Sequence, residues 1–172
     1  MTMRRLEIDR LNVQIGDVHP VRDVSLAIEP GQIFGIAGES GSGKSMTALA
    51  VMGLLPDGAV RGGSARLDGD ALFTLDEARM CAVRGRRVGL IFQEPMTALN
   101  PVRSIGDQVA ETLIVHEGKG RAAAREIAAE QLHRVGLPAD RIGAGRYPHE
   151  LSGGQRQRVM IAQAIALQPA LL

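Results

Sequence analysis

A glycine-rich segment in the first third of the chain ends in a lysine and a serine at the spacing of a phosphate-binding loop. The backbone N–H groups of such a loop turn inward around phosphate oxygens at the N-terminus of a helix. The lysine reaches the β- and γ-phosphates, and the serine hydroxyl coordinates Mg²⁺. The residues predicted to hold phosphate are Gly38, Ser40, Gly41, Ser42, Gly43, Lys44 and Ser45, with Ser45 also a predicted metal ligand. The alternative is a glycine-rich turn between a strand and a helix that binds nothing.

A second set of residues able to hold phosphate lies about a hundred positions further along the chain, at Leu151–Gln155. Ser152 is a good N-cap residue, and Gly153 and Gly154 would expose backbone amides at the positive end of a helix that is predicted to run to Ala166. The alternative here is a plain capped helix. Two phosphate-binding helix ends in one chain are explained if a nucleotide is held between two copies of the chain.

The segments around the loop predict a sheet that positions it. Alternating apolar residues over 6–15 and 21–28, broken by Gly16 and Asp17, predict a small antiparallel sheet. The continuous apolar run 33–37 predicts a buried parallel strand that leads into the loop. A helix is predicted from Met46 to Leu55 after the loop.

The rest of the chain predicts one further sheet segment, a second buried strand and a helical region. Ser64–Leu67 is the sheet segment, and an amphipathic stretch from Leu75 to Arg84 leads to the predicted buried strand Val88–Phe92. Helical spacing follows over 105–117 and 122–135, with a polar turn between the two helices.

The bulk composition fits a single domain and gives no support to nucleic acid as the main partner. The chain has 172 residues, 45% of them hydrophobic, and a formal net charge of +1, which gives no electrostatic reason to expect nucleic acid. The single cysteine excludes an internal disulfide. Neither a secretory signal nor a long apolar run is evident, so we expect a cytoplasmic protein whose membrane contact is made through another protein.

Taken together, the loop and Leu151–Gln155 make the sequence resemble the nucleotide-binding subunits of ATP-binding cassette (ABC) importers. The run from Phe92 to Pro101 is similar to that of the ATPases of oligopeptide, dipeptide, nickel and glutathione importers. The resemblance implies that Gln93 is the catalytic Q-loop glutamine, whose amide reaches Mg²⁺ and the attacking water. It also implies that Ser152, Gly153, Gly154 and Gln155 contact ATP bound to an opposing subunit in a head-to-tail dimer.

The same resemblance implies an α/β fold, the P-loop NTPase core of an ABC ATPase, with an antiparallel β subdomain and a helical subdomain. We expect the β subdomain and loop core over 1–94, the helical subdomain over 95–148, and the signature helix with the start of the Walker B strand over 149–172. The implied cofactors are ATP and Mg²⁺. The implied partners are transmembrane permease subunits, a second nucleotide-binding subunit and, indirectly, a solute-binding protein, at the inner face of the cell membrane.

Two departures from the family pattern qualify this hypothesis. The position at which the family stacks an aromatic residue on adenine corresponds to Ile15, so His19 or another apolar contact would have to substitute. The Walker B aspartate, its neighbouring glutamate and the switch histidine would all lie beyond Leu172, so we expect a partial domain with little or no hydrolysis by this chain alone. The alternatives are a non-catalytic gene fragment and, with less support, an ABC ATPase that acts on nucleic acid.

Overall fold

The computed structural model describes residues 5–94 and 98–172. The chain divides into two compact units, Met1–Cys81 and Ala82–Leu172. Among the described residues, no helix is long and apolar enough to cross a membrane.

The first unit is built on an antiparallel sheet, as predicted. Strands β1 (Leu6–Ile15) and β2 (Val18–Ile28) form a hairpin around Gly16 and Asp17, and β3 (Ala59–Leu67) pairs with the other edge of β1. A short β4 (Asp70–Ala71) completes the order β2-β1-β3-β4.

A β-bulge explains why the apolar pattern of β1 changes phase in the middle of the strand. The register shifts between Ile8 and Leu11, and Arg10 has a positive φ of 47°. The buried positions therefore move from 6 and 8 to 11 and 13, on the same face of the sheet. On β3, Gly63 lies against the bulge, where a Cβ would come within 2.3 Å of the carbonyl oxygen of Arg10.

Helix α1 (Lys44–Met52) follows the phosphate-binding segment. It begins two residues before the predicted start and ends at Gly53, whose left-handed conformation (φ 62°) stops the helix before Pro56 is reached. After the sheet comes a 3₁₀ turn, Leu72–Thr74, and then the short α2 (Glu77–Val83).

The second unit contains three longer helices, and their positions match the predicted helical spacing closely. They are α3 (Ile105–Glu117), α4 (Arg121–Arg134) and α5 (Gly153–Ile165), with a 3₁₀ turn at Pro148–Glu150 before α5. Their apolar faces share one buried core, whose largest fully buried members are Ile105, Leu113, Leu132, Leu137, Val109 and Val159.

The prediction of a buried parallel strand over 33–37 was wrong. Within the described chain, this segment forms no β-ladder, and Ile33 is 99% exposed. An apolar run is buried in a parallel sheet only where other strands pair with it. The apolar pattern of 33–37 indicates a preference for burial, but it does not show that a partner strand is present.

The second predicted strand, Val88–Phe92, is present only at its first residues. Val88 is buried and forms a parallel bridge with Leu171, in which Gly89 N donates to Leu171 O at 2.9 Å and Leu171 N donates to Arg87 O at 3.0 Å. Phe92 is exposed. Leu171 thus pairs as a strand residue, as the resemblance implies for this position.

Candidate nucleotide-binding site

Lys44 is folded back over the glycine-rich loop. Its Nζ donates to the carbonyl oxygens of Gly38 at 2.8 Å and Glu39 at 2.6 Å, and to Ser42 Oγ at 3.3 Å. The loop closes on itself as well, because Ser42 N donates to Glu39 O at 3.2 Å. The ammonium charge is therefore held directly over the loop that would surround phosphate oxygens.

The junction between the loop and α1 requires a glycine. Gly43 is the N-cap residue, with a φ of 87°, and a Cβ at this position would lie 2.2 Å from Pro20 O on β2. Any side chain would therefore combine backbone strain with a collision against backbone. This close contact fixes the start of α1 against the hairpin.

The first turn of α1 presents free donors and a hydroxyl. The first helical bond donated within this turn comes from Thr47, whose N–H binds Gly43 O at 2.9 Å, so the preceding N–H groups are left for another acceptor. Ser45 lies in this turn with an exposed side chain. The donor set of a lysine, a hydroxyl and helix N–H groups suits a phosphate with a magnesium ion.

The Leu151–Gln155 segment forms the capped helix start that was predicted. Ser152 Oγ accepts from Gln155 N at 3.3 Å, and Gln155 Oε1 accepts from Ser152 N at 2.8 Å. This reciprocal capping box fixes the first turn of α5. Helix α5 thus begins at Gly153, directly after Ser152.

Gly153 and Gly154 are not required by the packing of the chain itself. A Cβ built on either residue meets no heavy atom within 4 Å, and neither has a positive φ. Glycine in a helix costs up to about 1 kcal/mol relative to alanine. The packing of the described residues therefore gives no reason for glycine at either position, and the backbone of both is open to close approach.

The lead-in to this helix is held by contacts that sequence reasoning missed. Glu150 Oε2 accepts from Tyr147 N at 2.6 Å, and Glu150 N donates to Tyr147 O at 3.0 Å. The ring of Tyr147 stacks on that of His149, with 5.8 Å between the ring centroids. Arg156 Nε donates to Pro148 O at 2.7 Å. Nothing in the sequence identifies Pro148 as the acceptor for Arg156.

The remaining positions that the sequence analysis singled out are Gln93, Ile15 and His19. Gln93 occupies an exposed bend in the second unit, and Ile15 is half-buried at the end of β1, opposite Val18. His19 is exposed. In the importer-like run after Phe92, residues 95–97 lie outside the described residues. The catalytic and metal-binding roles of Gln93 remain predictions.

Comparison with known proteins now decides the family. The sequence model described as "ABC transporter" matches residues 21–172. The chain belongs to the ABC transporter family. This match includes the loop, Gln93 and the whole of the Ser152–Gln155 cap, so the family assignment rests on the same residues as the geometry.

Curated relatives of this ABC chain include the oligopeptide transport ATP-binding proteins OppD. The chain is 49% identical to that of Mycobacterium tuberculosis over 156 residues, which is 90% of the chain and 26% of the relative. It is 44% identical to that of Salmonella typhimurium over 171 residues, which is 97% of the chain and 51% of the relative. The chain therefore spans about half the length of the Salmonella protein.

A solved structure shows the same fold. The ATP-binding cassette MJ0796, determined as a dimer in a post-hydrolysis state bound to ADP and Pi, superimposes with a TM-score of 0.81 at 28% identity. The match covers 95% of this chain and 70% of that one. The α/β fold of an ABC ATPase is thus confirmed.

Proposed function

We propose that this chain is the ATP-binding part of an importer subunit that couples ATP binding and hydrolysis to the uptake of peptides or a related small solute. The observation that carries the proposal is Lys44, whose ammonium is held over the loop by two carbonyl oxygens at the start of α1. The similarity to OppD proteins supports peptides as the solute class.

The loop binds the phosphates of ATP by supplying donors that are already in place. N–H groups of the loop and of the first turn of α1 surround phosphate oxygens, and Lys44 neutralises their charge. Phosphate oxygens compete for the ammonium with the loop oxygens, of which Ser42 Oγ at 3.3 Å is the most distant. Nucleotide binding therefore exchanges ammonium contacts with neutral loop oxygens for ammonium contacts with anionic phosphate oxygens.

Ser45 and Gln93 are the residues that would hold Mg²⁺, together with phosphate oxygens. Mg²⁺ is usually bound through few protein ligands plus phosphates and water, so the exposed hydroxyl of Ser45 in the first turn of α1 is a fitting donor. When bound, the ion neutralises the charge that develops on the phosphates.

The start of α5 contacts ATP bound to a second copy or a paralogue. The capping box holds Ser152 and Gln155 in place, and the open space around Gly153 and Gly154 admits a phosphate to the backbone N–H groups. The dimeric state of MJ0796 supports this arrangement. Permease subunits at the cytoplasmic face of the membrane are the remaining proposed partners.

The decisive experiment measures the affinity for a fluorescent ATP analogue with Mg²⁺. Lys44→Ala should abolish measurable binding, because it removes the only positively charged side chain of the loop. Lys119→Ala is the matched control, since Lys119 is the only other lysine and pairs with Glu117 in the turn between α3 and α4. Equal binding by wild type and Lys44→Ala would contradict the proposal.

The importer role needs a separate test in cells. A strain of the source organism that lacks the gene should lose uptake of a labelled oligopeptide and regain it when the gene is restored. Restoration with a Lys44→Ala copy should fail. Undiminished uptake in the deletion strain would rule out peptides as the solute.

A further inference from the structure

Arg61 joins the sheet of the first unit to the far end of α1. It lies on β3, and its Nη1 donates to Ala50 O at 3.1 Å, in the last turn of the helix. Its Nη2 donates to Phe73 O at 3.1 Å, and the guanidinium lies over the ring of Phe73, 3.9 Å from its centroid. Three contacts thus hold the planar guanidinium of Arg61. A lysine side chain could not make all three contacts.

The bond to Ala50 is not needed to cap α1. The helix already ends in a glycine cap, in which Gly53 N donates to Ala50 O at 3.2 Å and Leu54 N donates to Leu49 O at 2.9 Å. A cation near a helix C-terminus is favourable, but the backbone carbonyl would be satisfied without it. What Arg61 adds is a link between the helix and the sheet.

The opposite end of α1 packs against the same row of the sheet, where 'row' means the paired residues that lie side by side on β3, β1 and β2. Arg61 is the register partner of Val13 on β1, and Val13 is the partner of Val21 on β2. Val21 and its neighbour Pro20 are the residues against which Gly43 packs at the start of the helix.

The row and the helix have matching lengths. Two strand spacings cover about 10 Å. The seven residues from Gly43 to Ala50 rise by about 10 Å along a helix axis. Helix α1 has only 9 residues. If its axis pivoted by about 10° around one end, the other end of the helix would move by roughly 2 Å.

We propose that Arg61 is a positioning residue for nucleotide binding, which fixes the tilt of α1 on the sheet and thereby the placement of Lys44 and Ser45. This inference rests on the proposed function, because it assigns to Arg61 a part in the phosphate site of the loop. It makes β3 a support of the site, although Arg61 does not touch the nucleotide.

The test uses two substitutions at Arg61 and a matched control on the same strand. Arg61→Met keeps an apolar side chain over Phe73 but removes the N–H groups that bind Ala50 O and Phe73 O. Arg61→Lys keeps the positive charge, but its single ammonium group can replace only one of the contacts of the guanidinium. Arg66→Met is the control, because Arg66 also lies on β3 but, among the described residues, its side chain donates only to Gly69 O within its own hairpin, at 3.2 Å. Each protein is assayed for Mg-ATP-analogue affinity, far below its thermal midpoint, and for the midpoint itself.

The expected result separates positioning from stability. Arg61→Met should weaken binding about tenfold, as for the loss of one charge-assisted hydrogen bond to phosphate. Arg61→Lys should recover the thermal midpoint but not the full affinity, and Arg66→Met should bind as wild type.

Two outcomes would overturn the proposal, and they are distinguishable. If either Arg61 variant folds, as shown by its circular dichroism, and binds as tightly as wild type, Arg61 does not position the site. If wild type and Arg66→Met themselves fail to bind, the proposed function fails, and the role of Arg61 in it fails too.

Discussion

At the scale of single residues, the glycines at the start of α5 show where the chain's own stability does not explain its sequence. Gly154→Ala should leave the thermal midpoint unchanged or raise it, because a Cβ meets nothing within 4 Å and alanine favours the helix by up to about 1 kcal/mol. The same variant should lose ATP-dependent dimerisation, because the added methyl group blocks close approach of a phosphate.

The control for this prediction is Gly120→Ala, at the N-cap of α4. Gly120 is equally open and has a φ of −63°, which alanine adopts without strain. Dimerisation, measured by sedimentation with and without ATP, should persist in Gly120→Ala. A Gly154→Ala protein that still dimerises with ATP would show that this backbone is not approached by the nucleotide.

Lys44 and Arg61 illustrate what can be read from the sequence at this scale and what cannot. Lys44 is recognisable because its partners, Gly38, Glu39 and Ser42, lie within six positions along the chain. Arg61 bonds to Ala50 and Phe73, which are 11 and 12 positions away and belong to different elements. Local spacing predicts the first kind of contact, whereas the second depends on how the elements pack.

At the scale of elements, the same distinction holds for strands and helices. The spans of α3 and α4 could be predicted because each helix buries its own apolar stripe and is closed by local signals, such as Ser104 and Gly118 around α3. Residues 33–37 could not be assigned in this way, because a parallel strand exists only through a distant partner. Likewise, Leu171 forms a strand bridge because Val88 pairs with it.

The ion pair between α3 and α4 gives a prediction at the element scale. Asp107, in the first turn of α3, accepts from Arg125 on α4 at 2.8 Å, and this hydrogen bond, with that of Ser104, lowers the pKa of Asp107. The side chain of Arg125 is 62% exposed and that of Asp107 is 38% exposed, so solvent screening limits the stabilisation to about 0.5 kcal/mol or less. Asp107→Asn should lower the free energy of unfolding by that amount at pH 7.

The pH dependence has a definite sign. Because the pKa of Asp107 is lower in the folded state, the stabilisation is complete above the ordinary aspartate pKa and is lost as the pH falls through the lowered value. Urea unfolding at neutral and acid pH should therefore show a difference between wild type and Asp107→Asn that vanishes in acid. Asp57→Asn is the control for the same change of residue type in an exposed turn outside this ion pair. An Asp107→Asn deficit that is equal at both pH values would assign the effect to helix capping instead.

At the scale of the whole molecule, the two features that are proposed to bind phosphate belong to different compact units. The loop lies within Met1–Cys81, and the start of α5 lies within Ala82–Leu172. The contacts within each feature are local to its own unit: Lys44 is held by its loop, and Ser152 and Gln155 hold each other. This independence suits a protein in which each nucleotide is shared between the loop of one chain and the α5 start of another.

Mixing two damaged chains tests that arrangement. In a head-to-tail dimer, each nucleotide contacts Lys44 of one chain and Gly154 of the other, so Lys44→Ala alone and Gly154→Asp alone both break every site. A mixture contains heterodimers in which one site joins the intact Lys44 of one chain to the intact Gly154 of the other. ATP-dependent energy transfer between two differently labelled variants should therefore appear only on mixing.

The control replaces the Gly154→Asp chain with one that carries both substitutions, which leaves no intact site and should give no signal. If the two single variants also give none, the loop and the start of α5 do not share a nucleotide across two chains, and the head-to-tail dimer must be abandoned even if Lys44 binds ATP.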